Sequence, residues 1–516
     1  MSISGNSADI KVRWGISAAP RKQLAALADA VVAPVPAALH ISLLQNNGST
    51  STPVVQTGDA VLKGQHIAGL KVEVKDELAD EIPVHASSSG TVTAIDEQDT
   101  AAGRTLCITI ATDGLDRLHP GCVPMPEAGT LSAEQIRSKI AAAGIVGLGG
   151  ALFPTATKLH AGAVQTLLIN GAECEPYINC DNQLMQQHAT EIVNGAEILQ
   201  RACGAEAVIF ACKAEMKDAH AALFSAISDA DNPSLSVRRA PDVYPAGGER
   251  QLIEHITGQE VPSGGLPADL GIICQNVGTA YAVHQLFHEG LPLISRIVTV
   301  SGGGLRESLN FEVRIGTPVT ELIALCGGYL DDRGGHAPDR LLMGGPMMGV
   351  PLPHDQVPVT PAMNCVIAGH ATELHHATEE LPCIRCGDCL PVCPARLNPM
   401  QLLDLKRRSD LPGLEQTGVS DCIECGCCDY VCPSSITLTA NFIQAKQMVR
   451  EQQLLSMRAG RSEQRYAAHA VRVAEREREQ QEQLQSQTSD LDASGSKQAL
   501  DDLLRRIGKN AKDDGV

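Results

Sequence analysis

The chain has 516 residues, of which 43% are hydrophobic and 3% aromatic, and its formal net charge is −19 at pH 7. That length predicts three or four domains with sizeable cores, and the strong negative charge argues against nucleic acid as a partner. The N-terminal residues lack a basic stretch followed by an apolar core, so no signal peptide is predicted. The chain also lacks an apolar run of about 18 residues, so no membrane span is predicted.

The first 125 residues predict an arm over 1–32 and a β domain over 33–125. In the β domain, GDAVLKGQHIAG and HASSSGTVTAID show glycine-punctuated apolar alternation, which predicts β-hairpins. The pair resembles the two halves of a biotinyl/lipoyl-type barrel-sandwich domain. Lys71 and Lys75 lie in an acidic insertion without the pattern that flanks a modified lysine, so a rigid scaffold is favoured over a swinging arm.

Residues 126–291 predict an α/β domain with a largely parallel sheet. SAEQIRSKIAAAG is an amphipathic helix opened by Ser132 and closed by Gly144, whereas TLLING and AVIFAC are short buried strands. The glycine-rich loop from Gly147 to Pro154 lets backbone N–H groups approach a phosphate or a flat ring. A tight structural turn is the alternative interpretation. The strand TLLING contains Asn170 near its carboxyl end, where open α/β sheets bind ligands.

Residues 292–365 return to strand-like sequence, and 366–440 contain two cysteine runs with the same spacing. Each run reads C-x2-C-x2-C-x3-C-P, in which three cysteines hold one [4Fe–4S] cluster and the fourth serves the other. This assigns cluster 1 to Cys383, Cys386, Cys389 and Cys432. It assigns cluster 2 to Cys422, Cys425, Cys428 and Cys393. Paired zinc knuckles are the alternative, but the third cysteine and the proline, repeated in register, favour clusters assembled in a reducing cytosol.

Several remaining residues have two interpretations. Cys427 is either a spectator thiol or a swapped cluster ligand, and Cys174 and Cys180 read as buried small side chains. A loose metal group or, more simply, a solvated linker accounts for His370, His375 and His376. Residues 441–516 predict a solvated helix, a polar break at SQTSDLDASGS and a short amphipathic piece, ALDDLLRRIG, so this tail is expected to be helical to disordered.

Four motifs give the chain a specific resemblance over about residues 10–440. In order they are GLGGALFPTATK, INGAECEPYINCD, YPAGGERQLI and CQNVGT. They resemble the FMN-binding motifs of the flavoprotein subunit of respiratory complex I and, more closely, those of the RnfC/RsxC family, the C subunits of Rnf/Rsx electron-transport complexes. The resemblance implies a barrel-sandwich domain, a Rossmann-like FMN/NADH domain, a soluble-ligand-binding β-grasp domain and an α-helical double ferredoxin domain, followed by the tail.

The resemblance also implies roles for individual residues in cofactor binding. FMN would be lined by Gly147, Gly149, Gly150 and Ala151, with Lys158 on its phosphate side and Asn170, Gln275, Asn276 and Thr279 holding polar atoms. Phe153 would face the nicotinamide side, and nicotinamide and ribose would lie among Glu173, Glu175, Gly247 and Glu249. Leu148 and Ala172 replace an arginine and an acidic residue of the complex I pattern. Solvated surface carboxylates are the alternative for Glu173 and Glu175.

The implied function is electron transfer, with no protein nucleophile or general base. As an NADH-dependent oxidoreductase subunit of the NADH:ferredoxin translocase type, the chain would pass electrons from NADH through FMN and two [4Fe–4S] clusters to a low-potential acceptor. The implied partners are the iron–sulfur B subunit and the A, D, E and G membrane subunits, on the cytoplasmic face of the inner membrane. The alternatives are a soluble cobalamin reductase of a microcompartment and an adaptor that has lost its flavin.

Overall fold

The structure is a computed structural model that describes residues 12–17, 21, 29–69, 82–125, 128–160, 162–330, 338–370, 374, 379–494 and 497–510. The chain divides into two compact units, Met1–Ile443 and Gln444–Val516. Four residues that the sequence analysis interprets lie outside the described residues, namely Lys71, Lys75, His375 and His376.

The first β domain follows a short strand of the N-terminal arm. The strands are β1 (Val31–Val32), β2 (Ala38–Ser42), β3 (Ala60–Val61), β4 (His66–Ala68), β5 (Val84–His85), β6 (Gly90–Thr100) and β7 (Gly103–Thr112). An antiparallel sheet has the order β2-β7-β6-β3, and β4 pairs with β5. The two segments with the predicted hairpin pattern, 58–69 and 85–96, contain β3 and β4 and parts of β5 and β6, and they pair with each other, β3 with β6 and β4 with β5. The alternating apolar residues Leu39 and Ile41 of β2, and Ile108 and Ile110 of β7, are buried in the core of this domain.

The α/β domain contains four parallel strands. Its elements are α1 (Ala133–Ala142), α2 (Thr155–Lys158), β8 (Thr166–Gly171), α3 (Cys180–Gln187), α4 (Ala189–Cys203), β9 (Ala207–Lys213), α5 (Lys217–Asp229), β10 (Leu235–Ala240), α6 (Glu249–Thr257), β11 (Ile272–Asn276) and α7 (Val277–His284). The sheet order is β10-β9-β8-β11, and every pair is parallel. The prediction of a parallel α/β sheet is therefore confirmed.

Helix α1 shows why the sequence signals at its ends were reliable. The Ser132 hydroxyl accepts from the N–H of Gln135, and the Gln135 side chain accepts from the N–H of Ser132. This reciprocal capping satisfies two N–H groups that the helix itself leaves without partners. Gly144 follows the helix with a φ of 64°, which a glycine adopts without strain.

The third domain is built on a mixed sheet. Its elements are β12 (Ser295–Ser301), β13 (Leu309–Arg314), α8 (Val319–Leu325), β14 (Arg340–Met343), β15 (Val350–Pro351) and β16 (Cys365–Gly369). Strand β1 of the arm joins its edge, giving the order β1-β13-β12-β16-β14-β15. Strand β12 is buried along its whole length because it lies in the interior of this sheet and against the α/β domain.

Short helices α9 (Cys389–Val392), α10 (Pro399–Arg407), α11 (Leu411–Gln416) and α12 (Cys427–Tyr430) form the cysteine-rich domain. Between the two cysteine runs, Asn398-Pro399 followed by MQLLDLKRR predicts a helix, and α10 begins there: the Asn398 side chain accepts from the N–H of Gln401 and Pro399 opens the helix.

The tail contains α13 (Leu438–Ser494) and α14 (Lys497–Asn510). The predicted polar break, SQTSDLDASGS, spans 486–496. Helix α13 continues through 486–494, because polar residues do not by themselves end a helix, and 495–496 lie outside the described residues between α13 and α14. Among the described residues, none of the helices combines the length and apolar character that crossing a membrane requires.

Candidate functional site

Two adjacent strands of the α/β domain end side by side. Strands β8 and β11 are paired in parallel with Asn170 opposite Asn276, so both asparagines lie at the carboxyl edge of the sheet. The Asn276 side chain accepts from the N–H of Gly278 at 2.8 Å and thereby caps α7. Asn170 donates from Nδ2 to the carbonyl of Gly247 at 2.9 Å. This edge is the place where an open α/β sheet binds ligands.

The glycine-rich loop lies against this edge. The N–H of Gly147 donates to the carbonyl of Phe153 at 2.9 Å, which closes the loop on itself. The N–H of Leu148 donates to the hydroxyl of Thr279 at 3.0 Å, which fastens the loop to the first turn of α7. Three residues at the tip, Gly149, Gly150 and Ala151, are exposed, and Phe153 is 47% exposed. The loop therefore offers backbone N–H groups and an open aromatic ring at the strand ends.

These residues fit a flavin phosphate or ring in two respects. Gly150 has a φ of 114°, and a Cβ built there meets no atom within 4 Å, so the loop is open on that side. A Cβ at Gly149 would lie 3.4 Å from the Cβ of Asn276. Among the described residues, the buried Nε2 of Gln275 has no hydrogen-bond partner, and a buried donor of this kind is normally satisfied. A polar ligand atom would satisfy it.

Lys158 and Glu249 form an ion pair in this region, with 2.6 Å between Nζ and Oε1. Both side chains are partly exposed, so the pair is accessible from solvent. Lys158 ends the short helix α2, and Glu249 opens α6. The structure thus brings together two residues that the sequence placed on different parts of the cofactor.

Glu173 and Glu175, the two carboxylates predicted to lie near nicotinamide and ribose, contact other groups of the protein. Glu173 accepts from the thiol of Cys180 at 3.3 Å and from the N–H of Asp181 at 3.1 Å. Glu175 accepts from the N–H groups of Met347 and Met348, at 3.2 and 2.9 Å, in the turn between β14 and β15. Their predicted contacts with nicotinamide and ribose remain predictions.

Backbone packing leaves no room for a side chain at position 247, which is a glycine. A Cβ at this position would lie 2.0 Å from the carbonyl oxygen of Ala172, which is a backbone atom that cannot move aside cheaply. The loop that precedes α6 and the loop that follows β8 therefore touch through their backbones. A role of Gly247 toward nicotinamide stays a prediction.

The cysteines form two sets around two small cavities. The first cysteine set, Cys383, Cys386, Cys389 and Cys432, lines one cavity. The second cysteine set, Cys393, Cys422, Cys425 and Cys428, lines the other, together with Cys427. Each set combines three cysteines of one run with the last cysteine of the other run. Four thiolates converging from such a pattern are the donor set that a [4Fe–4S] cluster needs.

The two sets differ in their surroundings. In the first set Cys386 is exposed, whereas in the second set Cys425 is buried. The hydroxyl of Tyr244 donates to the carbonyl of Cys425 at 2.7 Å, and Tyr244 itself is buried. The second set thus packs on the loop that leads to Gly247 and the strand-end site. Sequence reasoning missed Tyr244, although it begins the motif YPAGGERQLI.

Cys427 is fully buried and its thiol lies 3.9 Å from the carbonyl of Tyr244. Cys174 is half-buried in the same apolar group, and Cys180 is buried. Burial and the nearby carboxylates of Glu173 and Asp181 raise the pKa of Cys180 well above its usual value, so this thiol is neutral. Of His370, His375 and His376, only His370 lies among the described residues, and its Nδ1 is 3.8 Å from Oδ2 of Asp339.

Matches to known domain families cover most of the chain in the predicted order. Residues 10–115 match the RnfC barrel sandwich hybrid domain, 140–285 the Nuo51 FMN-binding domain, 297–351 the SLBB domain and 382–436 the 4Fe-4S dicluster domain. The C subunit of the ion-translocating oxidoreductase complex of Rhodobacter capsulatus is 41% identical over 448 residues, which are 86% of this chain and 84% of that one.

The chain belongs to the family formed by the C subunits of ion-translocating oxidoreductase complexes. The relative from Pseudomonas aeruginosa is 44% identical over 86% of this chain and 56% of its own length, and that from Vibrio cholerae is 37% identical over 92% and 61%. A solved NAD⁺-reducing [NiFe]-hydrogenase superimposes loosely, with a TM-score of 0.44 at 19% identity over 64% of this chain and 65% of that one.

These matches confirm the predicted family, the predicted fold class and the predicted classes of cofactor. An FMN-binding domain and a 4Fe-4S dicluster domain make this chain a redox subunit. No observation favours the soluble cobalamin reductase that was the alternative.

Proposed function

We propose that this chain carries electrons between NADH and its partner subunits through FMN at the strand-end site and through two [4Fe–4S] clusters. The observation that carries the proposal is the contact of Tyr244 with the second cysteine set, since it joins the two sites in one folded unit. FMN, when bound, accepts two electrons together and releases them singly, which is the conversion that a one-electron cluster requires.

The residues of the site supply binding and orientation. Gly147, Gly149, Gly150 and Ala151 present an open backbone for FMN, and Thr279 holds that loop in place through Leu148. Asn170, Gln275 and Asn276 present amide groups at the strand ends. The side chain of Lys158 supplies a positive charge that Glu249 balances at 2.6 Å. Phe153, Glu173, Glu175, Gly247 and Glu249 remain candidates for the nicotinamide side.

The second cysteine set is the inner one. A Cβ at Gly426, between Cys425 and Cys427, would lie 3.0 Å from the carbonyl of Met347, in the turn whose amides bind Glu175. The turn between β14 and β15 therefore contacts the second set and also holds Glu175, in the loop that follows β8. This contact favours electron passage from the flavin to cluster 2 first.

The first cysteine set lies at the exposed end. Leu381, Ile384 and Leu390 are exposed hydrophobic side chains in or beside the first run, and Cys386 is exposed as well. An apolar surface around an accessible redox centre suits a transient protein partner. We propose cluster 1 as the exit, toward the iron–sulfur B subunit and the A, D, E and G membrane subunits of a complex at the cytoplasmic face of the membrane.

Two cysteine substitutions test the proposed order. In purified protein, Cys386→Ser removes a ligand of cluster 1 and Cys425→Ser removes one of cluster 2, and FMN should remain bound in both. After NADH is added, the Cys386→Ser protein should still show a reduced cluster by electron paramagnetic resonance, whereas cluster 1 of Cys425→Ser should stay oxidised. Equal reduction in both variants would refute the order, and absence of FMN from the unaltered protein would refute the function.

A further inference from the structure

A buried arginine of the third domain contacts the back of the flavin loop. Arg296 lies on β12 and is 7% exposed. Its guanidinium donates to three backbone carbonyls, those of Ile297 at 3.3 Å, of Leu148 at 3.3 Å and of Pro361. The carbonyl of Leu148 belongs to the loop that presents Gly147 and Gly149. A strand of one domain thus fixes the cofactor loop of another.

The arginine lies beside a group of potential metal ligands. The side chains of Glu173, Cys180 and Asp181 place one ligand atom each within 4.8 Å of one another, a combination that occurs once among the described residues. Burial lowers the pKa of Arg296, and the negative charge of Asp181 opposes that effect because the two side chains lie near each other. An arginine remains charged even when buried. A buried positive charge therefore lies beside the carboxylate of Asp181.

Asp181 extends this network to the other side of the site. Its Oδ2 accepts from the Nδ2 of Asn276 at 2.7 Å, while the Oδ1 of Asn276 caps α7. Leu148, Asp181 and Arg296 line one small cavity next to Gly278 at the start of α7. Arg296 therefore acts on the loop, and Asp181 acts on an asparagine that the flavin is expected to touch.

We propose that the buried Arg296 and the half-buried Asp181 are positioning residues that hold the loop 147–150 and Asn276, and that they shift the reduction potential of FMN in opposite directions. This proposal rests on the proposed function, because it requires FMN at the strand-end site. Neither residue takes part in hydride or electron transfer.

The opposite signs follow from the charge of reduced flavin. Reduction by two electrons leaves a more negative flavin, which a nearby positive charge stabilises and a nearby negative charge destabilises. Screening is weak for buried charges, so one substitution changes the field at the cofactor. Removing Arg296 should therefore lower the FMN potential, and neutralising Asp181 should raise it.

The test uses the full chain with its clusters and four variants. These are Arg296→Gln, Arg296→Lys, Asp181→Asn and the double variant that combines Arg296→Gln with Asp181→Asn. FMN content and the FMN midpoint potential are measured by anaerobic spectroscopic titration. Arg296→Gln should lower the potential and bind FMN about tenfold more weakly, as expected when one hydrogen bond to a charged group is lost. Asp181→Asn should raise the potential, and the double variant and Arg296→Lys should return toward the original value.

Arg314→Gln is the matched control. Arg314 lies on the neighbouring strand β13 and pairs with Asp116 at 3.1 Å, so its loss removes a partly buried arginine–aspartate pair outside the contacts of the flavin loop. It should leave the FMN potential unchanged. Shifts of the same sign in Arg296→Gln and Asp181→Asn, or no shift with FMN bound, would overturn the proposal.

Hydrogen exchange separates this proposal from the proposed function. The amide of Leu148 should exchange faster in Arg296→Gln than in the unaltered protein, whether or not FMN is present. If the unaltered protein binds no FMN, the proposed function fails and the electrostatic half of the inference fails with it. Unchanged exchange at Leu148 would overturn the positioning half separately. If Arg296→Gln does not fold, Asp181→Asn still tests the shift of the FMN potential, and Arg296→Lys, which lacks the planar fork of guanidinium donors, still tests the exchange of the Leu148 amide.

Discussion

The two cysteine runs are nearly identical in sequence and occupy opposite environments. Both place a residue with left-handed backbone immediately before the second cysteine, Arg385 with a φ of 58° and Glu424 with a φ of 57°. In the first run this turn leads to the exposed Cys386, whereas in the second it leads to Cys425, which is buried on the Tyr244 loop. The local motif builds the same cluster cradle twice, and packing alone makes one cradle inner and the other outer.

This difference teaches that spacing determines which metal centre forms, and that neighbouring domains determine what it exchanges electrons with. The second run is covered by Ile16 of the arm, Tyr244 of the α/β domain and Met347 of the third domain. The C-terminal end of the first run, at Val392, packs on the same group, whereas Ile384 within that run and Leu381 just before it are exposed. Each prediction below changes matched positions in the two runs or in their contacts.

The largest effect is expected from substituting the crossing cysteines. Cys432 lies in the second run but lines the first cavity, and Cys393 lies in the first run but lines the second. Cys432→Ser should therefore cost about four iron atoms at the exposed cluster 1, and Cys393→Ser should cost about four at the inner cluster 2. Iron analysis and electron paramagnetic resonance check this. Loss of the cluster nearest in sequence would show that the crossover is wrong.

Matched glycines should separate the two environments next. Gly387 and Gly426 follow the second cysteine of each run with φ values of 89° and 73°, so alanine costs about 1–2 kcal/mol of backbone strain at either. A Cβ at Gly426 additionally meets the carbonyl of Met347 at 3.0 Å, whereas at Gly387 the nearest atom is a side-chain carbon of Leu390 at 3.9 Å.

Gly426→Ala should thus lower the midpoint temperature for loss of cluster absorbance more than Gly387→Ala does. Equal losses would mean that the contact with the third domain does not constrain the inner cluster.

An effect confined to one cluster is expected from Tyr244→Phe. The substitution leaves the buried carbonyl of Cys425 without its donor, at a cost of about 1–3 kcal/mol in the free energy of unfolding. The resonance signal of cluster 2 should shift while that of cluster 1 stays constant. Tyr466→Phe, at an exposed tail position, is the control and should change neither. A shift confined to cluster 1 would contradict the assignment of the inner cluster.

The smallest effect concerns an exposed ionic contact between the domains. Arg396 pairs with Glu254 and with Glu260, the latter at 3.1 Å, next to the second cysteine set. Exposed pairs of this kind contribute about 0–1 kcal/mol, and salt screens them. Arg396→Ala should lower stability by that amount at low ionic strength and by less at high ionic strength. Arg408→Ala, which removes an exposed pair within one helix, is the control, and a salt-independent loss at Arg396 would contradict this account.

Local sequence signals predicted much of the fold. Ser132 and Asn398 cap helices as expected because a capping side chain satisfies backbone groups only a few residues away. The buried strands β8 and β9 were evident from short β-branched runs between helices. The polar segment 486–496 predicted a break, yet 486–494 belong to α13, because polarity marks exposure and not the end of a helix.

The candidate site was harder to predict, since its contacts join distant segments. Leu148 is held by Thr279 and by Arg296, more than a hundred residues away in each case. Glu175 reads as a carboxylate beside a turn, yet the structure gives it the amides of Met347 and Met348. Nothing within a few residues of Glu175 or Arg296 marks these partners, so periodicity and spacing cannot reveal them.

The sequence by itself determined which redox centres this protein holds. Eight thiolates at fixed spacing specify two iron–sulfur clusters, and glycines at the loop tip specify a backbone open to a flavin, because both are properties of short segments. Only the tertiary structure decided which cluster is inner, which face is exposed and which charges surround the flavin loop. Those properties depend on burial and on contacts between domains, and burial is set by packing that no single segment contains.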